Sequence, residues 1–420
     1  MSSRTTPNLP NPRPTPNQQS IIIVGGGIVG SYLAYECALA GWEVDVFDPQ
    51  PEPVASYANA GIMALSYAQP MSNPRALVTG ARAVLAGGGG IELATPMPLS
   101  TLGWLSKLAW ASRPGHAKRH IRTIYNMART SVDLYAELEQ RESTDLHLRR
   151  TGWLYVATSP KALRAQAREA ATVAPAGVRS QFLDAAETRA CEPALASDIA
   201  GGVFYPDDVS FHPGHVTATV RNAAQSRGAR FHTATVTSGR AASDGRVACV
   251  ETDLGEHHRA RHVVIAAGAQ SDEVARLFGG RVAVEPGVGW SVEIPTDGPV
   301  ASRALMSIED HVVINPAATC VRLSGGMRFG GKPRTAPTPA EIDALVRAAT
   351  RVVPAVGELD REAAVARIGS RPMTADGLPI FKEIGRGVAV LTGHGTLGMT
   401  LAPFTARRVF DLLCNATRLD

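Results

Sequence analysis

Residues 20–48 read SIIIVGGGIVGSYLAYECALAGWEVDVFD, and the fold is decided by how this stretch is parsed. A short apolar run ends in glycines at Gly25. A helical segment follows from 28 to 40, Gly41 stops it, and residues 43–47 alternate as a half-buried strand does. Strand, helix and strand joined through Gly25-Gly26-Gly27-Ile28-Val29-Gly30 form the pattern that holds a dinucleotide. In that pattern Gly25 permits the tight turn, Gly27 lets the backbone approach a pyrophosphate, and Gly30 allows close helix packing. The amides at Ile28 and Val29 open the helix, where unpaired N–H groups and the positive dipole end favour an anion. Asp48 closes the second strand, where an acid accepts ribose hydroxyls.

Outward from this unit, 420 residues are enough for two or three domain-sized cores, so a nucleotide domain and a substrate domain are expected. Basic residues exceed acidic ones by only 42 to 38 and are dispersed, which argues against a nucleic-acid partner. Cys37, Cys191, Cys249, Cys320 and Cys414 are far apart and lack metal-ligand spacing. They read as free thiols in a reducing compartment, with no metal site. Residues 1–19, rich in Pro, Asn, Ser and Thr, lack the apolar core of a signal peptide and read as a disordered tail. No apolar run reaches the roughly 18 residues of a membrane span. The expected location is cytoplasmic, with peripheral contact on the inner face of the membrane left open, chiefly through residues 101–111.

Residues 71–150 read as an amphipathic helical insertion, clearest at 101–111 and 120–142, with a flexible break at 87–90. Strands are expected at 152–157, 201–205, 230–236, 247–252 and 262–266, and helices at 160–174 and 213–227. Candidate strands at 282–294, 312–315 and 320–324 suit an antiparallel platform. A helix at 339–352, a strand at 387–391 and a helix at 400–413 complete the chain.

Gly393-His394-Gly395-Thr396-Leu397-Gly398 is a second glycine-rich turn between strand and helix, suited to aim backbone amides at an electron-rich group. Shortly before it, Arg371 stands beside the Pro372 to Pro379 turn. A fixed guanidinium there can bind a carboxylate through two parallel hydrogen bonds. Trp290, His311, Arg322 and Arg328 are placed to face the same cleft.

Taken together, these segments resemble the D-amino-acid oxidase superfamily of flavoproteins, most closely its bacterial D-amino-acid dehydrogenase branch. Besides the two glycine-rich turns, Ser56-Tyr57-Ala58-Asn59-Ala60-Gly61, the 263–271 segment through Gly268, and Arg371 to Pro379 follow that branch's order. The resemblance implies an α/β flavoprotein of two domains: a Rossmann-like FAD-binding domain from 20–70, 208–281 and 365–418, interleaved with an antiparallel-sheet substrate domain from 71–207 and 282–364. It implies FAD lying along the first strand-helix-strand unit, Val236 near the adenine through its backbone, Ala58 to Met63 beside the ring system, and Arg371 as the clamp for a substrate carboxylate. A second arginine of glycine oxidases is replaced by Thr396, which favours the dehydrogenase branch. No cysteine lies between Cys320 and Cys414, where sarcosine oxidases attach their flavin, so FAD is expected to be noncovalent.

The implied reaction is oxidation of a D-amino acid to a 2-oxo acid by hydride transfer to flavin, with electrons passed to a quinone or another electron-transfer partner. Oxidation of glycine, sarcosine or a cyclic imino acid by oxygen is an alternative, as is a flavin subunit of a hetero-oligomeric dehydrogenase. Trp290 stands where the branch usually has Tyr, and Arg334 where it usually has an acid. A bulkier roof and an added cation would suit a proline-type substrate.

Overall fold

The computed structural model describes residues 19–50, 52, 54–69, 71–72, 91–94, 96–113, 115–240, 248–331 and 334–417. Of the tail expected over residues 1–19, residues 1–18 lie outside them, as does the break at 87–90. Ser20–Val24 sits inside a six-stranded sheet ordered Ile380–Gly385, Val388–Thr392, His262–Ile265, Ser20–Val24, Glu43–Phe47, Arg230–His232. All neighbours are parallel except the first pair. A parallel strand covered on both faces needs apolar residues on both. Ile21 and Ile23 accordingly pack against the helices Ile28–Leu39, Pro213–Ser226 and Gly398–Thr417, while Ile22 and Val24 join Phe47, Val236 and Val250 on the opposite face.

Gly25 has φ +113, and a methyl group there would lie 2.4 Å from the Ala266 carbonyl oxygen; at Gly30 it would lie 1.9 Å from the Gly25 carbonyl oxygen. The first position needs backbone freedom, and the second needs space. Helix Ile28–Leu39 therefore starts directly against the strand that feeds it.

The second sheet has nine strands among the described residues. Eight follow the order Val365–Met373, Glu285–Pro295, Cys320–Phe329, Val312–Pro316, Ala304–Ser307, Trp153–Ala157, Gly201–Tyr205, Gln181–Leu183, and Ile91–Leu93 joins Cys320–Phe329 off this path. The platform is mainly antiparallel, with parallel pairing of Ala304–Ser307 to Trp153–Ala157 and of Cys320–Phe329 to Ile91–Leu93. Helix Pro339–Val352 covers one face through Leu345, Val346 and Ala349.

Two local expectations change. The strand read at 230–236 is two strands: Arg230–His232 ends the parallel sheet, and Val236–Arg240 opens a three-stranded meander with Ala248–Thr252 and His257–Ala260. Arg371 stands on a strand, since Val365–Met373 pairs with Glu285–Pro295 over its full length, and the expected turn follows as a bend at Ala375 to Gly377. This strand lies at the end of the sheet order, which is where Pro372 can be tolerated, because an edge strand has one row of N–H groups without a sheet partner.

Replacing Gly30 by Ala should destabilise the protein by roughly 3 kcal/mol and weaken FAD retention, because the new methyl meets a backbone oxygen that cannot rotate away. Thermal unfolding followed by flavin fluorescence checks this; an unchanged Tm would show that the helix shifts freely on the strand.

Candidate active site

A cavity of about 1640 Å³ runs between the two sheets. This exceeds the roughly 300–1,000 Å³ of a pocket for one drug-sized ligand, leaving room for a dinucleotide and a second molecule. One end is lined by Gly25, Gly27, Ile28, Val29, Asp48 and Val236. Ser56, Ala58, Asn59, Ala60 and Gly268 line it too, as do Gly395, Thr396, Leu397, Gly398, His311 and Arg371.

At the nucleotide end, Asp48 Oδ2 accepts a hydrogen bond from Gly26 N at 2.7 Å, and Oδ1 accepts one from Gln50 N at 2.8 Å. The carboxylate is thus oriented by backbone. Gly27, the residue before the helix, supplies no side-chain cap, but Ser56 Oγ reaches across 28 positions of sequence to accept from Ile28 N at 3.0 Å. The helix start and the flavin-side loop are therefore pinned to each other. The glycine contacts, the helix N-terminus and the acid at the strand end all fit FAD. Gly30 and Gly61 do not line the cavity. Gly30 shapes the turn, and Gly61, at φ +76 where a methyl group would lie 2.2 Å from the Phe211 carbonyl oxygen, closes the loop.

That loop is held from the nine-stranded sheet. Asn315 Nδ2 donates to the carbonyls of Ala60, Gly61 and Phe211, and Arg322 Nη1 donates to Tyr57 O at 2.9 Å. Arg322 Nη2 pairs with Glu293 Oε2 at 2.5 Å, and the same oxygen accepts from His212 Nε2 at 3.0 Å. His212 Nδ1 accepts from His215 N, which leaves the proton on Nε2. The His212 hydrogen bond and the Arg322 charge hold Glu293 down at about 2, against the desolvation that opposes them.

Near the second glycine-rich turn, Thr392 Oγ1 donates to Gly268 O at 2.8 Å, joining two of the predicted segments. Gly395–Leu397 forms one tight turn before helix Gly398–Thr417, and Gly395 takes φ +54. His394 is buried, bonded to Thr405 Oγ1 at 2.9 Å, and burial pulls its pKa down to about 4. It is a neutral structural group.

Arg371 projects into the cavity over Gly289, where a methyl group would come within 2.3 Å of Nη1. That nitrogen donates to Gly326 O at 2.8 Å, and no carboxylate pairs with the guanidinium among the described residues. Burial lowers its pKa, yet a guanidinium remains charged. Tyr67 is close enough to feel this charge and is 38% exposed toward the cavity. His311 also lines the cavity, on a turn with φ +53, and desolvation lowers its pKa.

Four sequence-predicted residues behave differently. Trp290 does not line the cavity; its indole lies with Leu345 and Val346 in the core beneath helix Pro339–Val352. Val288 pairs with Arg328 but Trp290 with Gly325, so the bulge lies in Cys320–Phe329, while pairing with Val365–Met373 runs without a slip. Arg334 borders the cavity, but its charge is met by Glu341, which accepts from both terminal nitrogens. Arg322 serves the loop, and Arg328 lies 3.8 Å from Glu341; neither lines the cavity. Sequence reading missed Asn315, Ser66, Tyr67 and Tyr155. These are single polar residues within strands or loops that no spacing marks.

The family model for FAD dependent oxidoreductases, DAO, matches residues 20–412. The chain is 31% identical over 404 residues to a D-amino acid dehydrogenase of Cereibacter sphaeroides, covering 94% of this chain and 91% of that one. It is 31% identical over 409 residues to a D-amino acid dehydrogenase of Paramagnetospirillum magneticum, covering 94% of each. Among solved structures, glycine oxidase from Geobacillus kaustophilus superposes with a TM-score of 0.73 at 24% identity, covering 94% of each chain. L-proline dehydrogenase from P. horikoshii gives 0.68 at 17% identity, covering 96% of this chain and 95% of that one. At these identities both structures speak for the fold alone.

Because Glu293 has a folded pKa of about 2 against an ordinary 4.5, its contribution is full above pH 4.5 and is lost as pH falls toward 2. Glu293→Gln should therefore lower Tm at neutral pH, and the gap to the native protein should close between pH 4.5 and 2. A gap constant with pH, measured in thermal melts, would detach the clamp from this ion pair.

Proposed function

We propose, for a chain that belongs to the DAO family of FAD-dependent oxidoreductases, that it oxidises a D-amino acid at its Cα–N bond, giving an imino acid that water converts to a 2-oxo acid. The observation that carries this reading is Arg371, a cavity-lining guanidinium without a carboxylate partner among the described residues. An α-carboxylate supplies the missing charge, and the planar fork fixes its orientation. The names of the relatives point the same way. FAD, held by the Gly25 to Gly30 turn, Asp48 and the Ser56 to Gly61 loop, supplies the hydride acceptor when bound. The protein binds the carboxylate, places the α-hydrogen, and excludes water through Trp104, Leu108, Trp153 and Met306. None of the five cysteines lines the cavity, in keeping with noncovalent FAD. We place the FAD-binding domain around the six-stranded sheet and the substrate domain around the nine-stranded one. The cyclic imino acid reading loses both its supports, since Trp290 faces the core and Arg334 is paired.

We assign the electrons to a quinone or another acceptor reached beside helix Leu99–Ala111. Trp104, Leu105 and Leu108 of this helix line the cavity, and Trp104 Nε1 donates to Met373 O. Leu99 and Trp110 are 85% and 56% exposed, near Lys107 and Arg113. Apolar side chains flanked by cations suit an anionic membrane surface. Among the described residues no helix is long and apolar enough to cross a membrane.

Anaerobic mixing of the holoprotein with D-amino acids, their L enantiomers, glycine, sarcosine and proline should bleach the flavin with D-amino acids alone. Bleaching confined to another class would overturn the assignment. Arg371→Leu should lower kcat/KM roughly 100-fold, the value of one charge-assisted pair, with FAD still bound. In sedimentation with vesicles containing an anionic lipid, the native protein should pellet, and Leu99→Ser with Trp110→Ser should stay in solution. Equal pelleting of both would move the membrane contact elsewhere.

A further inference from the structure

Hydride leaves Cα only when the amine nitrogen carries a free electron pair, whereas an amino acid arrives as an ammonium. A proton must therefore be taken inside the cavity. The part of the wall formed by Ser66 and Tyr155, the latter packed in one cluster with Leu397, holds a group suited to this. Asp208 is 1% exposed and sits just behind the lining residues Ser66 and Tyr155. Ser66 Oγ donates a short hydrogen bond to Asp208 Oδ2, and Ser66 N donates to Oδ1 at 3.0 Å. The backbone of Leu65 adds a further bond to this carboxylate, and Tyr155, which lines the cavity as Ser66 does, feels both the Asp208 charge and the Ser66 hydroxyl. No cation pairs with Asp208 among the described residues.

We propose that Asp208, acting through Ser66 and Tyr155, receives the ammonium proton of the bound amino acid before oxidation. The N–H bond breaks with its electron pair remaining on nitrogen. The proton passes to the Tyr155 oxygen as that hydroxyl gives its own proton to Ser66 Oγ, and Ser66 gives its proton to Asp208 Oδ2. An ammonium and a carboxylate become an amine and a carboxylic acid, so a pair of charges is removed from an apolar cavity. When product leaves, the acid returns its proton along the same three oxygens. This assignment rests on the amino-acid reading above.

The surroundings favour such a transfer. Burial pushes the Asp208 carboxyl up to about 7, against the hydrogen bonds from Ser66 and Leu65 that pull it down. The charged and titratable groups facing it are few. Asp207 adjoins it and is held by Arg179 at the surface; Tyr155 and Tyr205 feel its charge. Tyr205 accepts from Gln166 Nε2 at 3.0 Å. Tyr67, which also lines the cavity, feels the Arg371 and Glu169 charges. A carboxylate clamped at Arg371 and an ammonium directed at Tyr155 thus occupy the two polar sides of one cavity.

The test is the rate of anaerobic flavin reduction in the full-length holoprotein between pH 6 and 10. Asp208→Asn should be slowed about 100-fold at pH 7, within the range for a lost proton acceptor. Its rate should return to within a few-fold of native near pH 10, where the nitrogen of the free amino acid is already largely a neutral amine. Tyr155→Phe should behave alike. A merely structural role would slow the variants equally at every pH, and parallel profiles would overturn the proposal. As a reading independent of turnover, α-aminoisobutyrate, which has no α-hydrogen, should produce a carboxylic-acid carbonyl band in infrared difference spectra of the native protein at pH 8. The band should be missing in Asp208→Asn, and its absence from the native complex would equally overturn the relay. If no amino acid reduces native flavin, the amino-acid reading itself falls, and this proposal with it.

Discussion

Between the Gly25 carbonyl oxygen and Gly30 there is no room for a methyl group, and the position of the cavity follows from that contact. A side chain at either place would push helix Ile28–Leu39 off the strand that precedes it. The helix start, with its N–H groups and dipole, would then no longer face the space beside Asp48. Ser56 depends on the same placement, because its hydroxyl meets the Ile28 amide only when the helix begins where it does. The flavin-side loop follows Ser56, and Asn315 and Arg322 receive that loop from the other sheet. A steric limit at two glycines thus propagates through four hydrogen-bonding residues to the substrate wall.

The cavity's electrostatics are correspondingly sparse. Arg334 and Arg322 are met by Glu341 and Glu293, so among the described lining residues Arg371 is the arginine without a carboxylate partner. Its position depends on Gly289, which leaves the guanidinium space to lie against the sheet, and on Gly326, whose carbonyl takes one of its donors. A charge held by main chain in apolar surroundings is worth more than one in water, because few solvent dipoles compete for it.

Much of this was legible in the sequence. The parallel unit is marked by strong periodicity and by glycines whose roles are steric, and such signals survive without tertiary context. The family resemblance added the cofactor and Arg371. What the sequence could not convey was the direction of side chains on the platform. Trp290 packs beneath helix Pro339–Val352, where Gly326 leaves room for its ring beside a bulge in Cys320–Phe329, and no spacing within its own strand marks that. Arg334 looked like an added charge because its neutraliser, Glu341, belongs to the first turn of the following helix. The break at Thr233 to Thr235, which splits one expected strand between two sheets, is equally a product of tertiary packing.

Asn315 ties these parts together with one amide. Its nitrogen serves carbonyls from two separate segments, and its oxygen accepts from Arg149 Nη2. A joint cross-linked in this way does not work as a hinge. Swinging the sheets apart would strip several buried polar groups of their partners at once, a cost of about 1–3 kcal/mol for each. The loop beside the cavity is therefore held at a fixed distance from the nine-stranded platform, so a ligand laid along that loop meets a wall already in place before it arrives.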